Sequence, residues 1–262
     1  MFTPVIPSTG LVGWRFLQRT YDTQFEAFSQ SSQLTRATDY FAQNINGVST
    51  AEDLVSDRRL LEVALGAFGL QDDIDNRFFI QKILEEGTTS DDALANRFSD
   101  TRYQEFSAAF GLGPGESSGI GTDDFAAEII ARFQASSFEV ATGEQDDDMR
   151  IALFAQREIP ALVGDEMSND AKWFTIMGQP PLRAVFEKAL NLPEAFGQVD
   201  IDQQLLVFKQ RARAVFGSDE ISQFSNEDAV QDLITKYVVR SQLDSFNTST
   251  SSASIALTLL QS

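Results

Sequence analysis

One stretch of this sequence comes back. Ser56-Asp57-Arg58-Arg59-Leu60-Leu61 through Ala67-Phe68-Gly69-Leu70 returns as Ser99-Asp100-Thr101-Arg102-Tyr103 through Ala109-Phe110-Gly111-Leu112, so that Phe68 and Phe110 stand 42 residues apart. A looser third copy ends Val185-Phe186-Glu187-Lys188-Ala189-Leu190-Asn191-Leu192. Self-similarity at such a period marks one supersecondary unit used several times. In the first copy Leu60, Val63, Ala64, Ala67 and Phe68 fall on one helical face, and the small Ala side chains let a neighbouring helix come close. Gly69 then suits a left-handed cap, with Leu70 as the apolar residue after it. The repeated segment thus reads as a core-facing helix with its own stop signal.

The rest of the chain carries the same period. Trp14, Leu17, Tyr21, Phe25 and Phe28 recur at spacings of three and four, and Ser31-Ser32 interrupts them before Tyr40, Phe41 and Ile45. Further stripes are Ile74 to Leu84, Phe125 to Phe133, Met149 to Arg157, Trp173 to Met177, Leu205 to Phe216 and Val230 to Val238. Ser49-Thr50-Ala51-Glu52 reads as a capping box, and Thr89-Ser90-Asp91-Asp92 and Ser225-Asn226-Glu227-Asp228 read as similar starts. Pro180-Pro181 suits a first helical turn. Pro160 predicts a kink or an end. Gly69, Gly87, Gly111 and Gly217 sit where helices should stop. No run of period-two alternation with hairpin turns is present. The expectation is an all-α chain of about a dozen helices, a multihelical array of duplicated helical units with no significant sheet. The 22 Phe residues are then packing anchors between helices.

Composition punctuates this array. Residues 1–10 are broken by Pro and Gly and predict an extended N-terminal arm. A helical half over 11–112, a Gly-rich loop over 113–121 and a second helical half over 122–243 follow. Residues 244–262 predict a flexible Ser/Thr-rich tail with a short apolar end made by Ile255, Leu257, Leu259 and Leu260. No stretch approaches the roughly 18–20 apolar residues of a membrane span, so no membrane insertion is expected. The first residues lack the basic region of a usual signal peptide, so none of that kind is expected; the expected location is the cytoplasm, with the flagellar basal body after export as the alternative.

The chain holds 39 Asp+Glu against 20 Lys+Arg, a formal net charge of −19, and no His or Cys. Nucleic acid is disfavoured as a partner by that charge. Disulfides, thiolate catalysis and Cys-ligated zinc are excluded by the missing cysteine. Gly115-Glu116-Ser117-Ser118-Gly119 matches a nucleophile-elbow pattern, but no strand precedes it and no His exists to take the serine proton, so it reads as a loop. The phosphate-loop pattern is absent. A metal site would need oxygen ligands alone. Asp72-Asp73-Ile74-Asp75, Asp146-Asp147-Asp148 and Asp200-Ile201-Asp202 are the acidic clusters, and each stands at a helix start, where carboxylates favour the positive end of the dipole. Catalytic, cofactor and metal residues are therefore expected to be none.

The repeated segments also carry a resemblance. Tyr40-Phe41 through Asn44-Ile45, Ser49 through Asp53, Ser56 through Leu61, Ala67 through Leu70, Phe78 through Leu84, Ala95-Asn96-Arg97 and Ser99-Asp100 through Arg102-Tyr103 look like the bacterial family labelled domain of unknown function 1217. Val199-Asp200 through Gln204, Gln223-Phe224-Ser225 and Arg240-Ser241-Gln242-Leu243 continue it. The resemblance implies an all-helical fold without an established activity, and a flagellar association through gene placement. It offers no catalytic residue. The leading expectation is a non-enzymatic helical protein that binds protein partners in flagellar assembly or function, with Ile255, Leu257, Leu259 and Leu260 as the contact. One rival is an exported structural component of the flagellar rod, lodged in the basal body. Another is an enzyme working with carboxylates alone or with magnesium.

Overall fold

The repeated segments become helices that end in related ways. In the computed structural model, which describes residues 2–260, with side chains described except at 194 and 247–260, the chain forms twelve α-helices and no strand among the described residues. They are α1 Gly10–Ser29, α2 Ser32–Asn44, α3 Ala51–Ser56, α4 Arg58–Ala67, α5 Arg77–Glu86, α6 Arg102–Phe110, α7 Phe125–Gly143, α8 Asp147–Gly164, α9 Asn169–Gly178, α10 Pro180–Ala189, α11 Ile201–Phe216 and α12 Glu227–Leu260. The all-α expectation holds.

The three similar sequence segments fall on α4, α6 and α10. After α4, Gly69 takes φ +69, its amide donates to the Gly66 carbonyl, and the Leu70 amide donates to the Leu65 carbonyl. That pair of bonds is a Schellman cap, and it satisfies carbonyls the helix would leave bare. α10 ends the same way. Asn191 stands at φ +55 and donates to Lys188, while the Leu192 amide reaches Glu187. α6 uses the simpler left-handed end, with Gly111 at φ +57 donating to Ser107. A glycine, or an asparagine once, is what this backbone needs, because a left-handed residue with an ordinary Cβ is strained.

The helices sort into two units. Unit 1 comprises 1–5 and 21–141, and unit 2 comprises 6–20 and 142–262. The division falls after Ala141, not in the Gly-rich stretch, which lies inside unit 1. There Glu116 accepts from the amide and hydroxyl of Thr88 and from the Gly113 amide, and Ser118 donates to the Phe110 carbonyl at 2.8 Å. Side-chain hydrogen bonds, invisible to composition, tie the glycines back onto their own unit. The N-terminal arm is likewise held in unit 1 at Val5, whose amide and carbonyl both bond the Gln24 side chain.

Unit 1 is glued by aromatic rings. Phe68 and Phe110, equivalent positions of the first two copies, face each other at 6.5 Å, and Phe106 sits against both. A second cluster sets Tyr21, Phe25 and Phe28 around the buried Phe138 at 5.4–5.7 Å, mostly edge to face. Such pairs add about 0.5–1.5 kcal/mol each beyond their burial. In unit 2, α8, α10 and α12 pack mutually. Trp173 meets Phe186 and Phe208, and Phe186 meets Phe224. The stripe of α1 is divided between the units. Trp14 and Leu17 are buried in unit 2, Phe28 in unit 1.

Two local expectations shift. The capping box of α3 is one residue later than Ser49 to Glu52: Thr50 accepts from the Asp53 amide, and Asp53 accepts back from the Thr50 amide. Pro160 does not end α8, which runs four residues past it. Ile159 and Leu162 are buried on either side, so core packing outweighs the lost amide.

Candidate functional site

Serine, acid and aromatic residues singled out in the sequence reach different fates. Ser117, which holds the nucleophile position of the elbow pattern, is exposed in the loop after α6, and its neighbour Ser118 donates to the carbonyl of Phe110, the last residue of α6. Among the described residues no three Asp or Glu are grouped so as to hold a metal ion. The cluster at Asp72 to Asp75 is dispersed. Asp73 accepts from the Tyr103 hydroxyl at 2.7 Å, and Asp75 pairs with Arg58. Asp200 caps α11 by accepting from the amides of Asp202 and Gln203.

A recurrent device uses the aspartates instead. Tyr40 donates to Asp57, Tyr103 to Asp73 and Tyr237 to Asp148, at 2.6–2.7 Å. Burial, and then the bond to Asp73, pushes the Tyr103 hydroxyl up to about 12. Burial does the same to Tyr237 more strongly, with the Asp148 carboxylate adding to it. Next to Tyr103, Arg102 grips Asp100 through two nitrogens and donates to the Gly69 carbonyl at 2.6 Å, which fastens the second copy to the cap of the first. These contacts are structural: the three tyrosine bonds and the Arg102–Gly69 bond each tie a helix to a distant end or connection of the chain.

The third acidic cluster is different because it borders a cleft. In unit 2 a cleft of about 350 Å³ opens where the starts of α1 and α8 meet the middle of α12. Thr9 and Gly10 form one wall, Asp146 and Asp148 another. Val238, Gln242, Ser245 and Phe246, spaced as one helical face, form the third. Gly10 has φ +66, the left-handed region that favours glycine, and passes beside the end of the Gln242 side chain. Asp146 caps α8 by accepting from the Met149 amide. Burial pushes its carboxyl above the usual range; the Met149 amide opposes this, and the charges of Asp148 and Asp147 reinforce it. Asp147 itself is paired with Arg150 at 2.7 Å. No Lys or Arg is among the residues lining the cleft.

The α12 helix leaves the core at this point. Val230, Leu233, Ile234, Tyr237, Val238 and Ser241 are buried, whereas Leu243 is 55% and Phe246 61% exposed. The backbone stays helical through the boundary expected after Leu243 and on to Leu260. The side chains of the expected contact residues Ile255, Leu257, Leu259 and Leu260 lie outside the described residues. Sequence reasoning missed the cleft, although Phe246, the one aromatic in a Ser/Thr-rich run, was a visible signal.

Comparison with known proteins gives a family and a fold. The family described as Protein of unknown function (DUF1217) matches residues 67–230, well over half the chain. That span begins at the end of α4, so the similar stretches from Tyr40 to Leu61 precede it and that from Arg240 to Leu243 follows it. A crystal structure of a structural-genomics protein from Agrobacterium tumefaciens is similar with a TM-score of 0.74 and 21% identity, covering 92% of this chain and 99% of that one. At that identity the likeness concerns the fold. No curated protein matches. No helix among the described residues is long and apolar enough to cross a membrane.

Proposed function

This chain belongs to the DUF1217 family of proteins of unknown function, and from that premise we propose that it is a non-enzymatic helical protein that binds protein partners, in the service of flagellar assembly or function. The observation that carries the binding is the exposed pair Leu243 and Phe246 on α12, with 55% and 61% of their surface open. Large apolar side chains so exposed on a helix favour a partner that covers them. After Asp244 the sequence has no charged residue to its end, while the whole chain carries −19. The contact element is therefore an uncharged helix end on an acidic body, suited to lying in a groove of another protein. The flagellar part of the proposal rests on the family resemblance. Support for the absence of catalysis comes from the missing His and Cys and from aspartates already occupied by helix starts and tyrosine hydroxyls.

The test compares the full chain with one ending at Leu243, by affinity capture from motile cells at two salt concentrations and by motility of cells carrying each form. Loss of captured partners and of motility on truncation is expected. Partners held at high salt implicate the apolar contact, since screening weakens only the acidic attraction. Unchanged capture and unchanged motility would remove the proposal.

A further inference from the structure

The cleft of unit 2 joins three properties: an exposed aromatic ring, two carboxylates without a basic residue on the walls, and a hydrogen bond from a buried tyrosine that ties two of the walls together. The ring is Phe246 on α12. The carboxylates are Asp146 and Asp148, both half-buried. The tie is the Tyr237–Asp148 hydrogen bond, which holds α12 against α8. Asp147, the third acid of the cluster, already has Arg150 as its counter-charge, whereas the two on the cleft have none on its walls. An anionic recess beside an exposed ring complements a cationic side chain on an apolar stem.

We propose that this cleft docks a basic amphipathic helix of a partner protein, which places a Lys or Arg between Asp146 and Asp148 and an apolar residue on Phe246. The inference rests on the protein-binding reading above and names the chemistry of the partner. A cationic head gains from the two carboxylates, and its methylene stem, or a neighbouring Leu, gains from covering the ring. Over the face of Phe246 the cation is also attracted by the ring quadrupole. An acidic partner helix would meet Asp146 and Asp148 as like charges and be rejected. The site selects by charge sign as well as by shape.

The experiment uses the isotopically labelled full chain and two 18-residue amphipathic peptides with the same Leu positions, one with Lys on the polar face and one with Glu. The Lys peptide is expected to produce saturable amide shifts at Gly10, Gln145 and Asp146, and the Glu peptide none. The double variant D146N/F246A should weaken the Lys peptide about tenfold, the loss expected when a buried anchor and its charge are removed together. Asn caps a helix as well as Asp, so α8 keeps its start. The matched variant D72N/F78A in unit 1, which removes one exposed acid and an exposed Phe, should change affinity less than about twofold. Equal losses in the two variants would mean diffuse attraction to an acidic surface, and equal binding of the Glu peptide would mean apolar contact without charge reading; either result overturns the proposal. The titration leaves residues 247–262 in place. Its failure would therefore remove the cleft without touching the truncation result, on which the broader reading stands or falls.

Discussion

Replacing Tyr237 by Phe removes one hydroxyl from the interior of unit 2 and leaves the ring. Tyr237 is 1% exposed, and its hydroxyl donates to Asp148 at 2.7 Å. A hydrogen bond to a charged acceptor contributes about 1.5–3 kcal/mol. Asp148 borders the cleft and retains access to water, so the penalty for stranding it is modest, and a loss of about 2 kcal/mol is expected. Both tryptophans, Trp14 and Trp173, lie in unit 2, so their fluorescence follows that unit alone. With a urea slope of about 2 kcal/mol per M, the midpoint should fall by about 1 M at pH 7. The same bond predicts an alkaline effect. An unfolded tyrosine loses its proton near pH ~10, while burial holds that of folded Tyr237 well above this. Above pH ~10 the unfolded state therefore binds fewer protons than the folded state, and stability falls as pH rises. Tyr40 and Tyr103 are raised too, but both belong to unit 1. The fall seen by tryptophan fluorescence should flatten in Y237F. A midpoint shift below about 0.2 M, or an alkaline slope identical to that of the parent chain, would refute the reasoning.

Gly69→Ala puts a Cβ on a residue at φ +69 and should destabilise unit 1 by about 1–2 kcal/mol in chemical denaturation followed by circular dichroism, whereas Asn191→Gly, which relaxes the equivalent cap of α10, should be neutral or slightly stabilising. Phe138→Ala empties the centre of the ring cluster formed by Tyr21, Phe25 and Phe28 and should cost about 3–5 kcal/mol; a loss under 1 kcal/mol would mean the cluster collapses to fill the space. Thr50→Ala breaks the capping box of α3 and should cost about 1 kcal/mol, read from the same denaturation curves, while Ser49→Ala should cost less, which separates the observed register from the one read from sequence.

The helix content was legible because it depends on neighbours three and four residues away. The stripes through Phe41, Ile83, Phe133, Leu153 and Tyr237 are local patterns, and the core is where they point. The ends were legible for the same reason: Gly69, Gly87, Gly111 and Gly217 all have positive φ, which their lack of a Cβ allows. The capping box was misplaced by one because Ser49 and Thr50 are chemically equivalent on paper, and only the direction of the chain entering α3 chooses between them. Of the two outcomes expected at Pro160, an end is not what happens, because local rules count the missing amide and not the burial of Ile159 and Leu162.

The candidate site lay further from view. Asp146 and Asp148 were visible as acids at a helix start, and nothing local says that Gly10, 136 residues earlier than Asp146, and Phe246, 100 residues later, share their cleft. The sequence by itself determined an all-helical chain, the glycine stops after α4, α5, α6 and α11, and a toolkit without imidazole or thiol, because each of these is settled within a turn or two of backbone or by composition alone. Tertiary structure alone decided that the Gly-rich loop folds back into unit 1, that the stripe of α1 serves two cores, and that two carboxylates and one phenyl ring meet at a single recess. Those outcomes depend on contacts between residues far apart in the chain, which periodicity cannot encode.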